Sequence, residues 1–200
     1  MSEARLRQRV AVTGLGAVTP LGLDTASFWA SLSAGKGGVG LVTHFDVRGL
    51  PTQLGAQVRD FDEGRFMDRR EANRYDRFCK LGLAAASEAL ESSGLLNSGV
   101  DLARVGSYVG TGIGGLGFLE NQHRILMDKG PGRVSPFLVP AMILNMASAL
   151  VSMRFGLKGP SQAAVSACAS SAHSIGDAFR LIQRGDAVAM VAGGAEASIT

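Results

Sequence analysis

The sequence predicts an α/β fold with a mainly parallel sheet and helices on both faces. Three observations predict it. Short apolar runs alternate with segments whose apolar residues recur every three or four positions, so strands alternate with helices. The apolar runs lack the polar alternation of a half-exposed sheet, as in strands covered on both faces. Of 200 residues, 46% are apolar, only 18% are charged and 27 are glycine, a balance of tight backbone packing and large buried surface.

Taken in order, Val10 to Gly14 is predicted as a buried strand, and Gly14-Leu15-Gly16 as the tight turn that ends it. Asp24 or Thr25 caps a helix through Phe28, Trp29 and Leu32, closed by Gly35. Residues 36–66 are irregular apart from a short strand at 54–58. Asp68 and Glu71 are spaced as in a capping box and open a long helix, with Phe78, Leu81, Ala85 and Ala89 on one face, ending near Gly94. A strand at 105–109 leads into the glycine-rich run Gly110 to Gly117, and a helix through Gln122 and Leu126 follows. Gly130-Pro131-Gly132 marks a turn, and one helix covers 141–155. A strand leads up to Cys168, a helix follows with Ala172, Ile175, Phe179 and Ile182 on one face and Gly185 as its cap, and a last strand spans 187–192. No repeat or low-complexity linker interrupts this pattern, so 1–200 is predicted as one domain. The chain stops after a buried strand, as a domain cut part-way does.

Composition excludes several function classes. The net charge is +3, and basic residues are scattered apart from Arg5, Arg7 and Arg9 and from Arg69, Arg70 and Arg74. With 6% aromatics and no interleaving of aromatic and basic residues, nucleic acid is not the expected partner. A weak attraction to an acidic protein remains open. No apolar run approaches the length of a membrane span, and the N-terminus has no apolar stretch before a cleavage site. Two cysteines far apart, Cys79 and Cys168, offer no metal-ligand spacing and fit a reducing cytoplasm.

Cys168 is the candidate nucleophile. Small residues surround it in Ser166-Ala167-Cys168-Ala169-Ser170-Ser171, where a strand hands over to a helix. Unpaired N–H groups and the macrodipole at a helix start favour a thiolate, and the thiolate is the nucleophilic form. A buried, inert cysteine among small apolar residues is the competing reading, and Cys79, inside a helical run, takes it. Gly110, Gly112 and Gly115 match a dinucleotide-binding pattern, but the acidic residue that should end a second strand falls near Asp128, at the end of a helix. A steric role is the better reading, with the glycines letting backbone pass close to a pocket floor. His173 follows Cys168 by five residues, about 140° around a helix, so its ring points away from the sulfur. His44 and His123 have no visible partner, and no metal cluster or Ser/His/Asp arrangement emerges.

Beyond these readings, the chain resembles the β-ketoacyl-acyl-carrier-protein synthases, the elongating condensing enzymes of fatty-acid and polyketide synthesis. Val12-Thr13-Gly14-Leu15-Gly16-Ala17-Val18-Thr19-Pro20-Leu21-Gly22 is similar to the family's opening segment. Gly110 to Gly117, Ser135 to Pro140 with Asn145-Met146, Gly159 to Ser171 and Val191 to Glu196 match further motifs in the family's order. The resemblance implies a thiolase-like fold, of which this chain is the N-terminal half. It implies that Cys168 accepts an acyl chain from acyl carrier protein and that its backbone N–H stabilises the oxyanion. Malonyl-acyl-carrier-protein then supplies the carbanion. Ile113, Phe137 and Leu138 fall where the resemblance puts the acyl pocket. No cofactor and no metal is implied, and family members are homodimers. The family's catalytic histidines, lysine and second oxyanion donor lie in the other half, so the resemblance implies that this chain alone does not condense. A non-catalytic partner subunit of a condensing-enzyme dimer is the alternative, disfavoured because Cys168 is present. A nucleotide-dependent oxidoreductase is disfavoured by the missing acidic residue.

Overall fold

Backbone pairing divides between a small antiparallel ribbon and a three-stranded parallel sheet. A computed structural model describes residues 8–200, so Arg5 and Arg7 of the N-terminal basic group lie outside the described residues. The ribbon pairs β1 (Gly40–Leu41) with β2 (Leu54–Gly55). In the parallel sheet β3 (Val105–Gly110) is central, flanked by β4 (Ser161–Gln162) and β5 (Ala189–Gly194). The β3–β5 register runs from Val105↔Ala189 to Gly110↔Gly194, which brings the C-terminal ends of both strands together.

All six residues of β3 are buried, and they alternate between two helical layers. Val105 and Val109 face Phe78, Cys79 and Leu83 of α3 (Arg77–Ser93) and Leu150 and Val151 of α6 (Met146–Phe155). Each large apolar side chain so buried contributes roughly 1.5–3 kcal/mol. Ser107, on the same face, is satisfied by the Ser148 carbonyl and the Ser148 and Ser152 hydroxyls, each at 2.8 Å. Tyr108 faces the other way, against Ala178 and Leu181 of α7 (Ser170–Arg184), and its hydroxyl donates to Asp177 at 3.0 Å. The sheet therefore lies between α7 on one side and α3 with α6 on the other. The remaining α-helices among the described residues are α1 (Thr25–Ser33), α2 (Arg69–Ala72), α4 (Leu116–Lys129) and α5 (Leu138–Met142).

The α/β class and the parallel sheet agree with the sequence, and so does α1, where Asp24 and Ser27 form a full capping box. Four elements differ. Residues 10–14 form no strand, and Val12 is 81% exposed. This segment instead lies on α3, where Leu15 N donates to Ser92 Oγ and Ala17 N to Glu88 Oε2. A Cβ on Gly14 would lie 2.1 Å from the Ala89 carbonyl, and one on Gly16 1.9 Å from that of Ala85. These glycines serve close helix approach rather than a turn. Gly16→Ala is expected to lift the segment from α3 at a cost of about 1–3 kcal/mol. A lower urea midpoint and faster proteolysis around residues 12–18 would register it.

The long helix begins at Asp76, not Asp68. Asp68 caps only the short α2, and Glu71, instead of completing a box, pairs with Arg154 at 2.6 Å. The chain breaks because Asp76 takes an extended conformation and caps α3 itself, a position aspartate prefers to a helix interior. The helix expected over 141–155 is likewise split into α5 and α6. The Met142 carbonyl accepts from Gly115 N of the glycine-rich loop, and Met146 N turns to the Ile143 carbonyl. Finally, the strand expected to run up to Cys168 is paired as β4 only at Ser161–Gln162, and beyond Ala164, whose carbonyl still accepts from Thr111 N, the chain turns into a tight elbow.

Candidate active site

Three chain segments build the site at the C-terminal end of the parallel strands. From β4 the backbone stays beside β3 as far as Ala164, whose carbonyl accepts from Thr111 N at 3.3 Å. Ser166 follows in an irregular conformation, and Ala167 adopts φ 52°, in the left-handed region. That conformation costs a residue with a Cβ about 1–2 kcal/mol, so the surroundings must hold it. They do so through Ser170, which is buried. Its hydroxyl accepts from Ser166 N at 2.9 Å and lies within donating distance of the Thr111 carbonyl (3.1 Å) and the Ala167 carbonyl (2.8 Å). A single 3-10 turn, Ala167–Ala169, carries Cys168, and α7 starts at Ser170. The predicted handover to a helix is present, with this turn inserted. Cys168 is exposed, directly N-terminal to a helix whose first N–H groups have no side-chain cap.

Cys168 opens into a cleft of about 410 Å³ shared with Thr111, Ile113, Ser171 and Glu196. The glycine-rich loop forms the facing wall. A Cβ on Gly110 would lie 2.6 Å from Ser174 Oγ and 2.7 Å from the Ala164 carbonyl, so the glycine admits α7 and the elbow to the end of β3. Gly112 N and Ile113 N both donate to Glu196 Oε2, at 2.8 and 2.9 Å, and Thr111 Oγ1 lies 3.2 Å from the same oxygen. Loop N–H groups that a dinucleotide pyrophosphate would need are thus held by the protein's own carboxylate. This agrees with the steric reading of these glycines. Glu196 went unassigned from the sequence, since no local signal names its partners, which lie across the sheet at the end of β3.

Of the predicted pocket residues, Ile113 lines the Cys168 cleft, whereas Phe137 and Leu138 lie at the start of α5 and do not line it. Phe137 instead receives the Arg74 guanidinium 4.8 Å from its ring centre, a cation–π contact. His173 Nδ1 lies 2.6 Å from Ser166 Oγ, so its ring is engaged on the elbow. His44 Nδ1 lies 3.4 Å from the Ile199 carbonyl, and His123 is exposed on α4. Cys79 is wholly buried, and burial pushes its thiol far up. Among the described residues no group of three His, Cys, Asp or Glu side chains is arranged to hold a metal ion. No helix among them is long and apolar enough to cross a membrane.

This geometry has relatives. A family model described as beta-ketoacyl synthase, N-terminal domain, matches residues 7–200. The 3-oxoacyl-acyl-carrier-protein synthase 2 of Synechocystis sp. is 47% identical over 194 residues, which is 97% of this chain and 47% of that protein. The chain spans about half the length of the curated relatives it matches. Among solved structures, the ishigamide ketosynthase/chain length factor superposes with a TM-score of 0.83 at 25% identity, over 96% of this chain and 48% of that one. A type II PKS acyl-carrier protein in complex with its ketosynthase gives 0.80 at 26% identity, over 96% of this chain and 52% of that one. These neighbours are ketosynthases of thiolase-like fold, so the fold class expected from the sequence holds. The chain belongs to the β-ketoacyl synthase family and carries its N-terminal domain.

Proposed function

We propose that this chain supplies the acyl-accepting cysteine of a 3-oxoacyl-acyl-carrier-protein synthase. The observation that carries the reading is an exposed Cys168 on a strained elbow, at the mouth of a cleft and immediately before α7. In the first half-reaction the Cys168 sulfur attacks the carbonyl of an acyl thioester. An S–C bond forms at Cys168, the bond to the carrier sulfur breaks, and the carrier thiol leaves with the proton. The Cys168 backbone N–H is the assigned donor to the oxyanion. In the second, malonyl-acyl-carrier-protein loses CO2, and its carbanion attacks the Cys168 thioester. A C–C bond forms, and the Cys168 thiolate leaves and regains a proton.

The second half-reaction needs groups that promote decarboxylation and stabilise the carbanion. Among the described residues no histidine lines the Cys168 cleft. We therefore assign acyl loading to this chain and condensation to the whole enzyme, in fatty-acid or polyketide elongation in the cytoplasm. Acyl carrier protein is the proposed partner, in keeping with the ketosynthase neighbour solved with such a protein. The exposed Arg69 and Arg70 suit an acidic docking surface. Homodimerisation is proposed through β4, the exposed edge strand that leads toward Cys168. The reading as a non-catalytic partner subunit leaves the exposed thiol without a use.

Iodoacetamide at neutral pH tests the thiol directly. Cys168 is expected to alkylate at least about 100-fold faster than the buried, proton-holding Cys79, with the difference lost in denaturant. Equal or slow labelling of both cysteines in the folded protein would remove the proposal.

A further inference from the structure

We propose that Glu196 is a positioning residue. By holding the Gly112–Ile113 backbone it sets how far the Ile113 side chain reaches into the Cys168 cleft, and so which acyl chain lengths the thiol accepts. The inference rests on the reading of Cys168 as an acyl acceptor. One carboxylate oxygen, Glu196 Oε2, gathers Gly112 N at 2.8 Å, Ile113 N at 2.9 Å and Thr111 Oγ1 at 3.2 Å. Thr111 Oγ1 in turn accepts from Gly114 N at 3.2 Å, so of three successive loop N–H groups two bond Glu196 directly and the third bonds the hydroxyl that rests on it. Bonds to an ionised acceptor are the strong kind, and Thr111, at 2% exposure, cannot swing away to water. Ile113 itself is 54% exposed, so packing does little to fix it, and its backbone bond to Glu196 is what orients it. A Cβ on Gly112 would meet Glu196 Oε2 at 3.0 Å, so that glycine is what lets the carboxylate seat. The other oxygen, Oε1, lies 3.3 Å from Ala197 N. Both oxygens thus serve the protein's own backbone, an arrangement for holding a wall rather than for moving a proton.

The test is a chain-length series on the 200-residue protein. S-alkyl methanethiosulfonates from methyl to octyl form a mixed disulfide at Cys168 with sulfinate as the leaving group, and peptide mass mapping gives each rate. Glu196→Ala is expected to change the octyl-to-methyl rate ratio at least fivefold. Glu196→Gln, whose amide oxygen can still accept both backbone N–H bonds, is expected to keep the ratio within twofold of the parent. Gly112→Ala, which crowds the carboxylate without removing its charge, is expected to move the ratio in the same direction as Glu196→Ala. A ratio within twofold of the parent in Glu196→Ala, with Cys168 of the parent reactive, overturns the inference alone. A Glu196→Gln ratio displaced as far as that of Glu196→Ala overturns it as well, since charge rather than backbone support would then be responsible. A parent Cys168 no faster than Cys79 overturns the acyl-acceptor reading, and the inference with it.

Discussion

Cys168→Ala is expected to abolish acyl loading. Incubated with an acyl N-acetylcysteamine thioester, the parent chain gains one acyl mass on the peptide containing Cys168, and the variant gains none. Cys168→Ser puts an oxygen at the same place but loses the more nucleophilic sulfur, so its loading falls on the order of 10³-fold or more. Neither change disturbs the fold: the side chain is exposed and belongs to no core cluster, so stability stays within about 0.5 kcal/mol. The distinction matters because the chain has a second thiol. Acyl transfer surviving in Cys168→Ala, whether on Cys79 or on Ser166, would place the chemistry elsewhere and end the proposed function.

Asp76→Ala is expected to have the largest effect on stability. Asp76 is 6% exposed and caps two helices at once. Its Oδ1 accepts from Phe78 N in the first turn of α3 at 3.2 Å, and its Oδ2 from Phe118 N in the first turn of α4 at 2.7 Å. Removing the side chain deletes both caps and strands two N–H groups, a loss of about 2–4 kcal/mol. Urea denaturation of parent and variant measures it, and a loss below about 0.5 kcal/mol would show that neither cap matters. The carboxyl has a pH signature too. Burial pushes its pKa up, against the backbone N–H bonds from Phe118, Phe78 and Arg77 that favour the ionised form. A raised folded-state pKa means that the folded state keeps the proton longer. The contribution from titration is therefore full below the unfolded carboxyl pKa and lost as pH rises through the folded one. Asp76→Asn is expected to flatten that slope while losing only one of the two caps.

Both expectations differ in how readable they were. Cys168 stood out as a candidate because its signal is local, small residues ahead of a helix, whereas Ile113, which lines the same cleft, was placed by resemblance and not by any local signal. The parallel sheet was legible from alternation alone. Gly14 and Gly16 were misread, since a glycine that makes room for a helix 70 residues away looks the same as a glycine in a turn. Asp68 misled because it is a true cap, but of a four-residue helix, and nothing local says that Asp76 will cap a second helix as well. Glu196 could not be seen because its role exists only when the ends of β3 and β5 lie side by side in register. Phe137 and Leu138 came from resemblance alone, and the cleft around Cys168 is built without them.

The register that joins Gly110 to Gly194 also dictates when the cleft can exist. Its glycine loop is tied to a carboxylate 85 positions later in the chain. On a ribosome adding residues at about 5–20 per second, that partner emerges roughly 4–17 s after the loop it must hold. Only over the last stretch of that interval, from Ser170 to Glu196 and so roughly 1–5 s at the same rate, does the nascent polypeptide carry the elbow and thiol with an unanchored wall, so the sulfur is present before the anchor of its selectivity wall.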